Sequence, residues 1–329
     1  MKDKKTKLLV IIGPTSSGKS ELAVKLARRF NGEIISADSR QVYKGMDLGT
    51  GKIEGKWKKG KYFYKNIVHH TIDFASPSSQ FSSARYKTLT QKTLKDIHRR
   101  GKLPILCGGT MHWIDAVVYD QNLPDVKPNA KLRERLGKKS ANNLYLELKK
   151  LDSARAKTID KHNKRRLIRA LEIIITTGKP VPKSPPKIGG VSRQESGRGG
   201  IYNTLWIGLS VPQKTLDKKI KRRLLQRIKQ GMIAEVKNLH SPPRHLVKNN
   251  KKSRSVSWKR LENFGLEYRY VSRYLRGMMS YDELLKLLAT AIRQYSKRQM
   301  TWWKRNKEIH WIKPDPKQAA KMVPKFLKS

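Results

Sequence analysis

The chain has 329 residues, a single cysteine (Cys107), and 74 Lys plus Arg against 25 Asp plus Glu, for a formal net charge of +49. That length supports one large domain or two ordinary ones, each with its own core, while the lone cysteine excludes a disulfide framework and any cysteine-based zinc site within the chain. No segment approaches the roughly 20 apolar residues of a membrane span, and the apolar run behind the Lys-rich start is too short for a signal peptide, so the expectation is a soluble cytoplasmic protein, monomeric and without a membrane partner.

Residues 7–12 read as a buried parallel strand, and Glu21–Phe30 carry helical apolar spacing at Leu22, Leu26 and Phe30. Between them lies GPTSSGKS, residues 13–20. GEIISAD (32–38) is a second apolar strand, ended by Asp38, and LPILCGG (103–109) is a third, followed by the helix-like TMHWIDAVVYD. Strands alternating with helices predict an α/β fold whose parallel sheet is covered on both faces, with Cys107 as a small buried strand residue.

From about residue 120 the pattern becomes helical, with NNLYLELKKLD and NKRRLIRALEIIITTG closed by Gly178 as a C-cap. Residues 178–200 are dense in Gly and Pro and read as a flexible loop. The strand-like YNTLWIGLSV (202–211) returns to the sheet pattern, so the domain reading is a core of 1–119 and 201–329 interrupted by a helical insertion, 120–200. KTLDKKIKRRLLQRIKQGM is amphipathic, 244–260 has seven Lys or Arg and no acid, and the remainder to the C-terminus reads as helices.

GPTSSGKS satisfies G-x-x-x-x-G-K-[ST] in the strand–loop–helix setting that pattern requires, which makes the core P-loop NTPase-like. Loop amides and the helix N-terminus form a concave anion site, Lys19 supplies a point charge, and the Ser20 hydroxyl suits Mg²⁺. The third strand runs into Gly-Gly-Thr rather than an aspartate, so the motif does not specify an ATPase. A small diphosphate or triphosphate is the expected ligand, with Asp38 facing it. The excess positive charge points to RNA or DNA as partner, or else to a lysine-rich solvated surface.

GPTSSGKSELA, ISADSRQVYKGMDLGTGK (35–52), PILCGGT (104–110), RRLIRALEI (165–173) and RQYSKRQMTWWKR together resemble the tRNA dimethylallyltransferase family, in the family's order and over most of the chain. The resemblance implies transfer of a dimethylallyl group from dimethylallyl diphosphate to N6 of the adenosine 3′ of the anticodon, with Mg²⁺ as cofactor and the tRNA anticodon stem-loop as partner. It implies diphosphate binding by Gly13, Thr15, Ser17, Gly18, Lys19 and Ser20, with Ser20 as metal ligand. Asp38 is implied as proton acceptor, Arg223 as a diphosphate contact and Thr110 as a substrate-pocket contact. Asp38, Ser39, Arg40 and Gln41 are implied to touch tRNA, as are Arg165, Arg166 and Arg169 on the insertion.

The chain also departs from the family pattern. Lys219 stands where the family has an arginine, which keeps charge but loses the bidentate fork. In GLEYR (265–269) Glu267 replaces a glycine. His69 and His70 have no acid or cysteine at metal spacing and read as structural or pocket-rim residues. Two other readings stay open on the residues alone: an enzyme acting on free adenine nucleotides or another small molecule, and a non-catalytic RNA-binding protein.

Overall fold

The computed structural model describes residues 5–182, 201–242 and 255–329. The described strands are β1 (Lys7–Ile12), β2 (Gly32–Ala37), β3 (Lys56–Lys58), β4 (Lys61–Tyr64), β5 (Ile67–His70), β6 (Leu103–Gly108), β7 (Asn203–Leu209) and β8 (Ile309–Ile312), of which β1, β2, β6 and β7 are short apolar runs. They form one sheet in the order β3-β4-β5-β2-β6-β1-β7-β8. From β5 to β8 all neighbours are parallel, with Leu9 opposite both Ile105 and Leu205.

The expected parallel sheet is therefore a mixed one. β4 pairs antiparallel with both β3 and β5 through tight turns in which Lys59–Gly60 and Lys65–Asn66 all have positive φ. That is the backbone a two-residue hairpin needs, but Lys stands in the first position of each turn where Asn or Asp would have signalled it. The edge strand Lys56-Trp57-Lys58 is exposed throughout, and its lysines discourage pairing with another chain. β8, only four residues long, lies in the stretch read as helical.

Alternation along the central strands sends side chains to two cores. Leu8, Val10, Ile12, Leu106 and Trp206 face one side; Leu9, Ile11, Ile105, Ile207 and Leu209 face the other. The second side is closed by α1 (Lys19–Arg29) and by the C-terminal helix Pro316–Lys328, through Leu22, Leu26, Ala320 and Val323. The first is covered by α2 (Ser83–Arg99) and α3 (Met111–Val118), and by helices from the C-terminal third of the chain.

Described residues 120–182 form a separate compact unit. It contains α4 (Ala130–Gly137), α5 (Ala141–Leu151), α6 (Ser153–Thr158) and α7 (Lys164–Thr177) around Leu136, Leu144, Leu148, Leu167 and Leu171. Each helix start carries a capping side chain: Asn129, Ser140, Asp152 and Asn163 accept from the third residue of the turn that follows. Gly178 ends α7 in the left-handed conformation. Most of the 178–200 loop and most of the 244–260 basic stretch lie outside the described residues.

Among the described residues the core also contains α8 (Gln213–Lys229), α9 (Met232–His240), α10 (Trp258–Phe264), α11 (Leu266–Leu275) and α12 (Tyr281–Trp303). A capping box between Ser280 and Glu283 starts α12.

Candidate active site

β1 delivers the chain into a loop shaped by close approach. A Cβ on Gly13 would lie 2.8 Å from Ser17 Oγ, and Gly18, at φ 95°, is the left-handed N-cap of α1. Among the described residues no side chain caps this helix, so its first-turn N–H groups are without a side-chain acceptor, as at helix N-termini that take anions. Ser17 Oγ is buried without a hydrogen-bond partner among the described residues. Lys19 Nζ donates to Pro14 O at 3.3 Å; burial of the ammonium lowers its pKa, and Asp38 acts in the opposite direction.

Thr15 is different: its N–H (2.9 Å) and hydroxyl (3.3 Å) both donate to Gln299 Oε1 on α12. Gln299 Nε2 in turn donates to Gly109 O at 2.9 Å, where a Cβ would come within 2.4 Å of that nitrogen. Gly108 has the same need against the Ala37 backbone. The Gly-Gly after β6 thus permits the sheet ends and α12 to meet at the loop.

Asp38 follows β2 directly. Its Oδ1 accepts from Arg40 N–H (2.9 Å) and Gln41 N–H (3.4 Å), a turn that fixes the carboxylate, while Oδ2 has no hydrogen bond among the described residues. Thr110 Oγ1 accepts from Ser39 N–H at 2.9 Å and so ties this turn to the start of α3. Gln41 donates its amide to Thr50 O and Gly51 O, and Arg40 lies 5.4 Å over the Phe264 ring. Burial lowers the pKa of Arg40 as well.

α8 supplies the cations from the far side. Arg223 Nη1 donates to Ser16 Oγ at 3.2 Å, and burial with Arg227 beside it pushes the Arg223 pKa down to about 10. The cleft is lined by Ser16, Lys19, Ser20, Asp38, Arg223 and Arg227, and also by Ile34, Ile53, Ile72, His69 and Cys107. His69 is buried and held neutral near neutral pH, its pKa pushed down to about 4 by burial; His70 instead pairs with Glu33 at 2.7 Å. Burial raises the Cys107 thiol to about 12.

The loop motif singled out Lys19 and Ser20, the strand end singled out Asp38 and the family resemblance implied Arg223, and the fold brings all four to one cleft. The sequence reading passed over Gln299, Arg227 and Glu235. Glu235 accepts from the N–H groups of Asp47, Leu48 and Gly49 and from the Tyr268 hydroxyl, so it anchors the loop carrying Thr50 and Gly51. The only sequence signal was that Gln299 lies inside RQYSKRQMTWWKR.

In the helical unit Arg165 and Arg166 are exposed on α7. Arg169 is engaged locally, donating to Val126 O at 3.0 Å and to Glu172 at 2.6 Å. Among the described residues no cluster of three or more His, Cys, Asp or Glu could hold a metal, and no helix is long and apolar enough to cross a membrane.

Fold and cleft define an α/β protein whose concave site gathers residues of the glycine loop, the cations Lys19, Arg223 and Arg227, and the carboxylate of Asp38. A family model described as IPP transferase matches residues 41–306, and the chain belongs to that family. A tRNA dimethylallyltransferase of Anoxybacillus flavithermus is 37% identical over 306 residues, 93% of this chain and 90% of that one. The crystal structure of a tRNA isopentenylpyrophosphate transferase from Staphylococcus epidermidis is similar at TM-score 0.65 and 32% identity, covering 98% of this chain and 99% of the other. A eukaryotic dimethylallyltransferase acting on tRNA superposes at TM-score 0.76 and 25% identity, over 98% of this chain and 80% of its own.

Proposed function

We propose that this chain transfers a dimethylallyl group from dimethylallyl diphosphate to N6 of the adenosine 3′ of the anticodon in tRNA, releasing diphosphate. The observation that carries this is that Asp38 lines one cleft with Lys19, Arg223 and residues of the glycine loop, in a core we read as P-loop NTPase-like. Allylic displacement meets two charge problems. Negative charge grows on the departing diphosphate as its C–O bond breaks, and the attacking amine must lose a proton as the C–N bond forms.

The loop N–H groups, Lys19 and Arg223 are fixed where the first charge develops, and they need no reorganisation at the moment of reaction. An adenine amine is too weak an acid to be deprotonated beforehand by a carboxylate, so Asp38 takes the proton while the bond forms, on its uncommitted Oδ2. The neutral His69 and the three isoleucines give the hydrocarbon an apolar wall and add no competing cation.

Mg²⁺ suits the donor set. The Ser20 hydroxyl lines the cleft and no carboxylate cage is present among the described residues, which matches a cation held mainly by phosphate oxygens and water. When bound, it adds charge neutralisation at the diphosphate. Gly13, Thr15, Ser17 and Gly18 shape the cradle, and Thr110 holds the Asp38 turn.

The target base must leave the anticodon-loop stack to reach Asp38. Ser39, Arg40 and Gln41, in the turn that follows Asp38, are proposed to contact the tRNA there, and Arg165, Arg166 and Arg169 belong to the helical unit proposed to meet the tRNA backbone, with the protein acting as a cytoplasmic monomer. Incubating the protein with dimethylallyl diphosphate, Mg²⁺ and unmodified tRNA should place the prenyl mass on that adenosine. Prenyl found on free adenine nucleotides instead, or a phosphoryl group transferred from ATP, would overturn the assignment.

A further inference from the structure

Arg223 and Arg227 are one turn apart on α8, so they share a face, and both line the cleft. The guanidinium of Arg227 lies across Gly51: a Cβ there would stand 1.8 Å from its Nη2 and 3.2 Å from Nη2 of Arg223. Its Nη1 donates to Glu267 Oε1 at 3.2 Å, and the two side chains are only 14% and 11% exposed. Nη2 has no hydrogen bond among the described residues.

Glu267 is the residue that departs from the family's glycine, and its place is structurally demanding. Gly265 (φ 77°) and Leu266 (φ 40°) both have positive φ, a costly conformation for leucine. The turn they make aims Glu267 at Arg227 and Tyr268 at Glu235 in succession. A buried ion pair adds little stability over an apolar pair of the same shape. Burial also raises the Glu267 pKa, against the pull of Arg227. Lys19, Arg223 and Arg227 line the cleft with Asp38, and Glu267 pairs with Arg227, so three cations stand against two carboxylates and positive charge remains for an incoming anion.

We infer that Arg227 is a second arginine contact for the leaving diphosphate and that Glu267 is the positioning residue that holds it over Gly51. The inference rests on the prenyl-transfer reading. As the allylic C–O bond breaks, its electron pair stays on the diphosphate oxygen while the N6 proton passes to Asp38; Arg227 meets the charge left on the diphosphate. One edge of its guanidinium is held by Glu267 and the other is presented to the anion.

The test is a cycle of Arg227→Met, Glu267→Gln and the double variant, which removes both charges together and leaves neither buried alone. Arg227→Met should raise the KM for dimethylallyl diphosphate and the inhibition constant of inorganic diphosphate about tenfold, as expected for losing a charge-assisted hydrogen bond. The KM for tRNA should stay within about twofold. Glu267→Gln should move the same two constants about threefold, and the double variant should match Arg227→Met, because Glu267 acts through Arg227.

Additive losses in the double variant would overturn the positioning role. A lowered melting temperature with both diphosphate constants unchanged would overturn the contact itself, as would a change confined to the KM for tRNA. If the wild-type protein transfers no prenyl group to tRNA, the functional reading fails on its own. Calorimetric binding of inorganic diphosphate to wild type and Arg227→Met still decides the contact, and equal affinities would reject it.

Discussion

Two buried charge clusters in this molecule are built on opposite principles. In the helical unit, fully buried Glu172 is saturated: it accepts from Asn129 N–H (2.8 Å), from both Arg133 donors (2.7 Å each) and from Arg169 (2.6 Å). In the cleft, among the described residues, Lys19 reaches only a carbonyl of its own loop, Arg223 reaches a serine hydroxyl, and Asp38 commits one oxygen. Charges that complete each other hold a fold together, whereas charges left incomplete and gathered in a concave site raise the affinity for whatever completes them.

The sharpest way to break that contrast is at Asp38. Asp38→Ala should lower the rate of the chemical step by about 10²–10⁴-fold, the range of general-base loss, while tRNA affinity stays nearly constant in a filter-binding titration. Equal losses in rate and affinity would place Asp38 in RNA recognition rather than proton transfer. At the saturated cluster the reverse holds. Glu172→Gln should cost about 3 kcal/mol, because two half-buried arginines lose their counter-charge. The loss is read from denaturant unfolding, and an unchanged midpoint would show that Glu172 is not structural.

Protonation sharpens the same comparison inside the core. The folded His69 pKa is about 4 against an ordinary 6.5, so between those values the unfolded chain takes up a proton that the folded chain refuses. Its contribution is whole above pH 6.5 and is lost as pH falls toward 4. His69→Gln should gain about 2 kcal/mol relative to wild type between pH 7 and 5.

Asp115, which accepts from the Trp302 indole at 2.8 Å, has the opposite sign. Burial raises it to about 7 from 3.8, so the folded chain keeps a proton there that the unfolded chain has lost. That stability is complete below pH 3.8 and is lost as pH rises through 7. Asp115→Asn should therefore raise the melting temperature at pH 8 and leave it unchanged at pH 4. The smallest effect expected is ionic: with a net charge of +49, tRNA affinity should fall at least tenfold, about 1.4 kcal/mol, between low and moderate salt. A flat titration would put the excess charge off the RNA path.

Local features were legible without coordinates. The glycine loop, the strand ended by Asp38, the helical insertion and the cap at Gly178 all depend on backbone preferences and periodicities spanning a few residues. The hairpin of β3 and β4 escaped because its turns begin with lysine, and β8 escaped because four residues carry too little pattern to separate strand from helix.

Packing sets which distant side chains meet around the glycine loop. Gln299 reaches Thr15 across 284 positions and Arg223 reaches Ser16 across 207, while Glu267 meets Arg227 from another helix. No spacing rule connects them, because these pairings are set by how α8, α11 and α12 pack against the sheet ends. A glycine loop at one strand end and a carboxylate at another were readable from local pattern alone, since each follows directly from its own strand. The number of cations around that loop, and which of them is held in reserve by a neighbouring acid, is a property of packing.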